Sequence, residues 1–299
     1  MRHLKGIMIY GLAIFSVAFL FLTSGSMALG AVPGAQLELI AEEANLVNND
    51  WKNIGTVEKS MRGGIKLGVW NERRLANPVF EPAAGGEPSR FTATKQGQLF
   101  ATAALAVNAA RGRNPNLHLK DWTVEVVLKR NGPQFGPEHH IAGFHWVTGH
   151  SGDWNDGRGQ WIKLGVTEGL VWINLKGAVQ KNVEGQKVYK DLVDIGLNQW
   201  HHTLFTYEDE AGKLEAWMDG VKKNTMKTQV KHGFDDELDM TFHGVFAHSF
   251  RETDSGFNGS IHLIRIYNRV LTDAEIQENL GVEPAGKLAT TWGNVKTRH

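Results

Sequence analysis

Two stretches decide the fold: WHHTLFTYEDEAGKLEAWMDG (Trp200–Gly220) and FNGSIHLIRIYNRVLTDAEIQENL (Phe257–Leu280). In the first, apolar and polar residues alternate over Trp200–Tyr207 and again over Lys213–Met218. The turn Glu210-Ala211-Gly212 joins the two runs and a second turn, Asp219-Gly220, follows them. A period of two bounded by glycine turns predicts paired antiparallel strands. In the second stretch, a strand over Gly259–Tyr267 runs into Thr272-Asp273-Ala274-Glu275, a capping box that predicts a short helix ending near Gly281.

The same grammar extends toward the N-terminus. Strands are predicted at Gln36–Ala41, Phe91–Thr102, Leu117–Arg130, His140–Val147, Gln160–Thr167, Leu170–Leu175, Val188–Ile195 and Leu238–Phe246. Turn signals such as Asn131-Gly132-Pro133, Asp156-Gly157 and Glu168-Gly169 separate them. Asn71–Ser89, rich in Pro, Gly and Ala, reads as a long loop. Ala103–Arg111 reads as loop and strand edge, with a short helix as the alternative, and Lys287–Trp292 as a further short strand. No internal repeat or low-complexity tract is present.

At the N-terminus, Arg2, His3 and Lys5 precede an apolar run from Ile7 to Leu22, and Ser24-Gly25-Ser26-Met27-Ala28 supplies small residues for cleavage. This is the pattern of a secretory signal over residues 1–30, removed to leave a domain over 31–299. The run is short against the ~20 residues that span a bilayer, so no stable membrane span is expected after removal, with a retained anchor as the alternative. Secretion, the periplasm or a cell surface is the expected location. The chain has no cysteine, so its core must hold it without disulfides. Basic and acidic residues number 32 each and are interspersed, which argues against the basic stripe of a nucleic-acid binder.

The WHH strand, the strand-to-capped-helix ending and the segment Trp51-Lys52-Asn53-Ile54-Gly55 together resemble the bacterial laminin G-like domains of the concanavalin A-like lectin/glucanase superfamily. The resemblance implies an all-β, two-sheet antiparallel jelly-roll sandwich with one short C-terminal helix. It also implies binding of a glycan or another cell-surface ligand. As a guide to function it is broad, because the same sandwich hosts lectins, adhesion modules, glucanases and lyases.

Strand parity singles out candidate ligand-binding residues. Trp161 and Lys163 alternate with Ile162, Leu164 and Val166; Trp172 and Asn174 with Val171, Ile173 and Leu175; Glu215 and Trp217 with Leu214, Ala216 and Met218. If these strands share a sheet, three tryptophans and their polar neighbours form a surface that stacks on sugar rings and bonds hydroxyls. The competing reading is that the tryptophans pack beneath loops.

The loop Ser151–Gly157 offers Asp153, Asn155 and Asp156, oxygen ligands suited to calcium, and Glu252 and Asp254 form a second acidic loop. Rim-loop calcium is common in the family. A plain tight turn explains Asn155-Asp156-Gly157 more simply. The family's frequent acidic pair is replaced here by His262-Leu263. His139, His140, His145 and His150 cluster without the spacing of a zinc motif, and His201 and His202 read as hydrogen-bonded strand residues.

Glucanases of this fold carry E-x-D-x-E or E-x-D-x-x-E along one strand. Here Glu237-Leu238-Asp239-Met240-Thr241-Phe242 begins that motif and ends it in Thr241 and Phe242. A two-carboxylate mechanism lacks its partner, and no nucleophile elbow or phosphate loop is present. The sequence therefore predicts non-enzymatic carbohydrate binding, assisted by calcium or by no cofactor. A protein-binding adhesion module, or a hydrolase or lyase relative, is the alternative.

Overall fold

The computed structural model describes residues 32–43, 46–47, 50–56, 65–68, 79–93, 100–101, 116–117, 119–133, 139–146, 160–167, 169–176, 186–228, 240–245 and 257–281. The short strands are β1 (Leu37–Ile40), β2 (Leu46–Val47), β3 (Asp50–Trp51), β4 (Ile65–Gly68), β5 (Val79–Glu81), β6 (Arg90–Thr92), β7 (Phe100–Ala101) and β8 (Asn116–Leu117). The longer ones are β9 (Trp122–Arg130), β10 (His139–Trp146), β11 (Gln160–Thr167), β12 (Leu170–Lys176) and β13 (Gln186–Asp194). They continue with β14 (Trp200–Glu208), β15 (Lys213–Met218), β16 (Val221–Lys227), β17 (Met240–Val245) and β18 (Gly259–Tyr267), followed by helix α1 (Asp273–Gly281).

Eight strands form one antiparallel sheet in the order β16-β15-β14-β9-β18-β6-β5, with β1 also on β18; six form a second, β13-β12-β11-β10-β17-β8. A smaller sheet, β2-β3-β4-β7, completes the described strands. The core lies between the two large sheets. Trp122, Val124, Val126 and Leu128 of β9 meet it on one side beside Phe205, Tyr207, Leu214, Ile264 and Ile266. Ile162, Leu164, Val166, Val171 and Ile173 meet it from the other. Trp122 stacks on Tyr207 with ring centroids 5.4 Å apart. This is the expected jelly-roll sandwich.

The predicted strands at Gln160–Thr167, Lys213–Met218 and Gly259–Tyr267 are found with those bounds. β5 lies inside the stretch expected to be loop, and Phe91–Thr102 is two strands, β6 and β7. β16, Val-Lys-Lys-Asn-Thr-Met-Lys, lacks an apolar period because it is the sheet's edge. Lysines there discourage pairing with another chain. Asp219 and Gly220 both take positive φ (51° and 81°), the two-residue turn that a hairpin's twist demands. Ala103–Arg111 and Lys287–Trp292 lie outside the described residues, as does the expected signal.

The Trp51–Gly55 segment has a definite job. Trp51 is fully buried against Phe91, ring centroids 4.7 Å apart. Asn53 turns its Oδ1 inward, accepting from the Glu38 and Gly55 amides, each at 2.9 Å. A Cβ on Gly55 would stand 2.5 Å from the Gln36 carbonyl oxygen, so only glycine lets this segment lie along β1.

At α1 the capping box forms as predicted. The Glu275 amide donates to Thr272 Oγ1 (3.3 Å) and the Thr272 amide to Glu275 Oε2 (2.9 Å). Arg269 adds a two-pronged bond to the same carboxylate, 2.8 and 2.7 Å. The Arg269 bond first, then the Thr272 amide, hold the Glu275 carboxyl down at about 2.

Asn53→Ala is expected to lower stability by about 1–3 kcal/mol in urea unfolding, the cost of two buried donors losing their acceptor. Because Glu275 is depressed relative to an unfolded glutamate near 4.3, its contribution is complete above that value and vanishes as pH falls through about 2. The urea midpoint should therefore drop between roughly pH 4.3 and 2, and drop less in Glu275→Gln.

Candidate functional site

The candidate residues fall on two different sheets. β11 pairs with β12 without a register shift: Lys163 stands directly opposite Asn174, Trp161 opposite Lys176, and Gly165 opposite Trp172. Ile162, Leu164, Val166, Val171 and Ile173, the positions between them, belong to the core. Trp161, Lys163, Trp172 and Asn174 therefore occupy the face of the six-stranded sheet away from the core. The two tryptophan positions flank the Lys163–Asn174 pair, one row to each side. With ~3.3 Å per residue and ~4.8 Å between strands, the tryptophans are ~14 Å apart.

Neighbouring strands continue these rows. His145 registers with Trp161, Gly143 with Lys163 and His140 with Gly165. Thr241 registers with His145, and Gly244 with Gly143. The middle row thus has bare backbone at Gly244 and Gly143 beside Lys163. His140 and His145, read from sequence only as an unpromising zinc cluster, are neighbours of the tryptophan rows. Register alone reveals this, and register is not legible before the strands are paired.

Glu215 and Trp217 lie elsewhere. They are on β15, in the eight-stranded sheet, so the single surface of three tryptophans does not form. Trp217 is 4% exposed and packs with Leu204, Tyr267, Val32 and Ala35 beneath Leu271 and Ile276. The reading that buries it is the correct one: α1 and the N-terminal segment cover this sheet's second face. Lys222 Nζ lies 4.6 Å from its ring centroid. Glu215 is buried and accepts from Lys213 Nζ (2.9 Å) and Lys222 Nζ (3.1 Å). Burial pushes its carboxyl up, but the two lysines outweigh it and hold the group below its usual range.

The same covered face holds a charged cluster that the sequence reading missed. Glu125 has no exposed side chain; His202 Nε2 donates to its Oε1 at 2.6 Å, with Arg265 Nη1 at 3.3 Å. Asn279 Nδ2 of α1 donates to Oε2 at 3.1 Å, and Arg265 Nε to Glu38 Oε1 at 2.7 Å. Burial works against the Glu125 charge, but the His202 bond and the Arg265 charge prevail and keep its carboxyl low. With Glu125 fully buried and both of its carboxylate oxygens engaged, the cluster serves to tie the strands and α1 together. Charged residues alternating with the core positions of the apolar strands β9 and β18 were its only sequence signal.

His201 and His202 are strand residues as expected, His201 Nδ1 lying 2.9 Å from Asp219 Oδ2. His262, where the family's acidic pair would begin, sits at a register shift of β18 and bonds the Ser89 carbonyl through Nδ1 at 2.6 Å. Burial above all pushes its pKa down to about 4, so it is a neutral structural donor. The candidate calcium ligands Asp153, Asn155, Asp156, Glu252 and Asp254 lie outside the described residues, as do Glu237, Asp239 and His150. Among the described residues, no group of three His, Asp or Glu could hold a metal ion, and no helix is long and apolar enough to cross a membrane.

Residues 106–277 match the Laminin G 3 family model of the concanavalin A-like lectin/glucanases superfamily. The chain belongs to that superfamily. No curated protein matches it. Among solved structures it is similar to domain 4 of AbnA, a GH43 extracellular arabinanase from Geobacillus stearothermophilus, in complex with arabinotriose. That likeness has a TM-score of 0.50 at 13% identity and covers 83% of this chain and 98% of that one. It is also similar to the CBM40 of Ruminococcus gnavus IT-sialidase bound to α2,6-sialyllactose (TM-score 0.42, 15% identity, 55% of this chain and 84% of that one). A third is the heptameric SAP-like pentraxin from Limulus polyphemus (TM-score 0.39, 15% identity, 54% and 70%).

Trp217→Ala should destabilise the protein by about 3–5 kcal/mol in denaturant unfolding, the cost of emptying a buried aromatic site. A variant that kept its full unfolding midpoint would show that the second layer does not depend on this ring.

Proposed function

We propose that this chain is an exported, non-enzymatic carbohydrate-binding domain whose ligand lies across the face of the six-stranded sheet away from the core. One observation carries the reading: the β11–β12 register sets Lys163 against Asn174 and flanks that pair with Trp161 and Trp172. Aromatic faces stack on the apolar faces of sugar rings, while an ammonium and a carboxamide between them suit hydroxyl recognition. The ~14 Å between the tryptophan positions suits an oligosaccharide better than a single ring. The fold is shared with the arabinanase domain whose structure is in complex with arabinotriose.

The non-enzymatic part rests on Thr241. On β17 it registers with His145 on this same face, where the glucanase pattern wants its last carboxylate. A threonine hydroxyl is too weakly acidic to protonate a leaving glycoside oxygen. Export follows from the signal-like residues 1–30. Calcium held by Asp153, Asn155 and Asp156, with Glu252 and Asp254, belongs to the same proposal as support for the rim.

Titration of the full chain with oligosaccharides, in calcium and again in chelator, tests this. Binding is expected, and Trp161→Ala or Trp172→Ala should weaken it by tenfold or more, about 1.4 kcal/mol, without shifting the melt. Unchanged affinity in both variants would remove the ligand from this face. Affinity indifferent to chelation would remove calcium.

A further inference from the structure

We infer that the ligand of this face is an acidic glycan, one bearing carboxylate or sulfate groups; the inference rests on the glycan-binding reading above. Its basis is the charge that strand register collects there. Lys163 pairs with Asn174, and Asn174 pairs on its other side with Lys187 of β13. Lys176 stands opposite Trp161, one row away. Sheet spacings put these three lysine positions within ~10 Å of one another around Asn174. That is about one Debye length at ordinary salt, so they act as one field.

Counter-charge is scarce at the same level. The paired positions of this face are Thr241, His145, Trp161 and Lys176 in one row and Gly244, Gly143, Lys163, Asn174 and Lys187 in the next. The third row is His140, Gly165 and Trp172. None of these three rows carries a carboxylate; the next one, Thr167, Leu170 and Asp194, does. Lys190 and Asp191 fall in the irregular stretch between the two registered parts of β13. Asp194, opposite Leu170 in the last row, stands at the sheet's end, where a Cβ on Gly169 would be 2.9 Å from its Oδ1 and 3.1 Å from the Arg130 guanidinium.

The chain as a whole has no net charge, so this local excess is a property of the face. Elsewhere Lys129 is matched by Glu87, and Lys213 and Lys222 by Glu215. Three lysine positions around a carboxamide, with no carboxylate registered in their rows, make a positive field that favours an anion. Tryptophans to either side and bare backbone at Gly143 and Gly244 supply a floor for sugar rings between the charges. A uronic acid or sulfated chain meets both demands, stacking through its rings and satisfying lysines through its acid groups. A single-stranded nucleic acid would also stack and neutralise, but such binders line a longer basic groove than these rows provide.

The test is calorimetry of the full chain with four probes of matched length: oligogalacturonate, its carboxyl-reduced neutral counterpart, a sulfated oligosaccharide and an oligothymidylate. Oligogalacturonate or the sulfated probe should bind at least tenfold tighter than the neutral chain. That advantage should shrink as NaCl rises from about 0.05 to about 0.5 M. Lys176→Gln and Lys187→Gln should each reduce it by roughly fivefold, with Lys→Arg at either position restoring it. Unchanged melting temperatures would separate this from misfolding. The better of the carboxylate and sulfate arms names the acid group. Equal binding of the neutral chain overturns the inference and leaves the glycan-binding reading standing. Binding of oligothymidylate as tight as either acidic glycan overturns it too, and silence from all four probes overturns both readings.

Discussion

Glu125 is a carboxylate with no contact with water, and the layer outside the eight-stranded sheet is organised around making that tolerable. A lone buried charge is prohibitive; this one is met by His202 from β14, Arg265 from β18 and Asn279 from α1, while Arg265 is tied in turn to Glu38 of β1. Four strands and the helix thus share one ionic centre. Removing a single partner of such a cluster typically costs about 3–5 kcal/mol, since the remaining charge is left unmatched. An apolar replacement of the whole group can be neutral, so the centre's value lies in fixing where α1 and the N-terminal segment sit. Tyr267 reinforces this, its hydroxyl donating to the Val32 carbonyl at 3.2 Å.

That arrangement divides labour between the sheets. The central strands of the eight-stranded sheet, β9, β14 and β18, are buried on both faces, by the core on one side and by Leu271, Ile276, Val32 and Ala35 on the other. The sheet's polar residues are consequently spent on internal pairing, as Glu215 with its two lysines and His262 with the Ser89 carbonyl illustrate. The six-stranded sheet contributes a core face of short aliphatic residues and, at the alternate positions, tryptophan, lysine, asparagine, histidine and glycine. Such a composition at alternate positions is poor for packing a second layer and well suited to a ligand.

Much of this was legible in the chain itself. Alternation located the central strands because their burial has a strict period of two, and the Thr272–Glu275 spacing located the helix because caps are local chemistry. Trp161 and Trp172 could be assigned to the non-core face by parity alone. The same parity misled at Trp217, because parity says which face a residue takes and nothing about what covers that face. β5 and β16 escaped notice for a related reason: an edge strand is held by backbone pairing and needs no apolar period. The Glu125 centre draws its members from residues 38 to 279, and no local pattern announces a contact of that range.

The first and last described segments also meet directly. The Val32 amide donates to Asn279 Oδ1 at 3.0 Å, joining positions 247 residues apart. The first and last described segments therefore sit side by side on the flank opposite the tryptophan rows. A sandwich whose first and last described segments lie together can be cut and rejoined at a different point without stretching its sheets. A tether that left the fold at Val32 or Gly281 would depart from the flank behind the Trp161–Trp172 face, leaving that face turned away from the point of attachment.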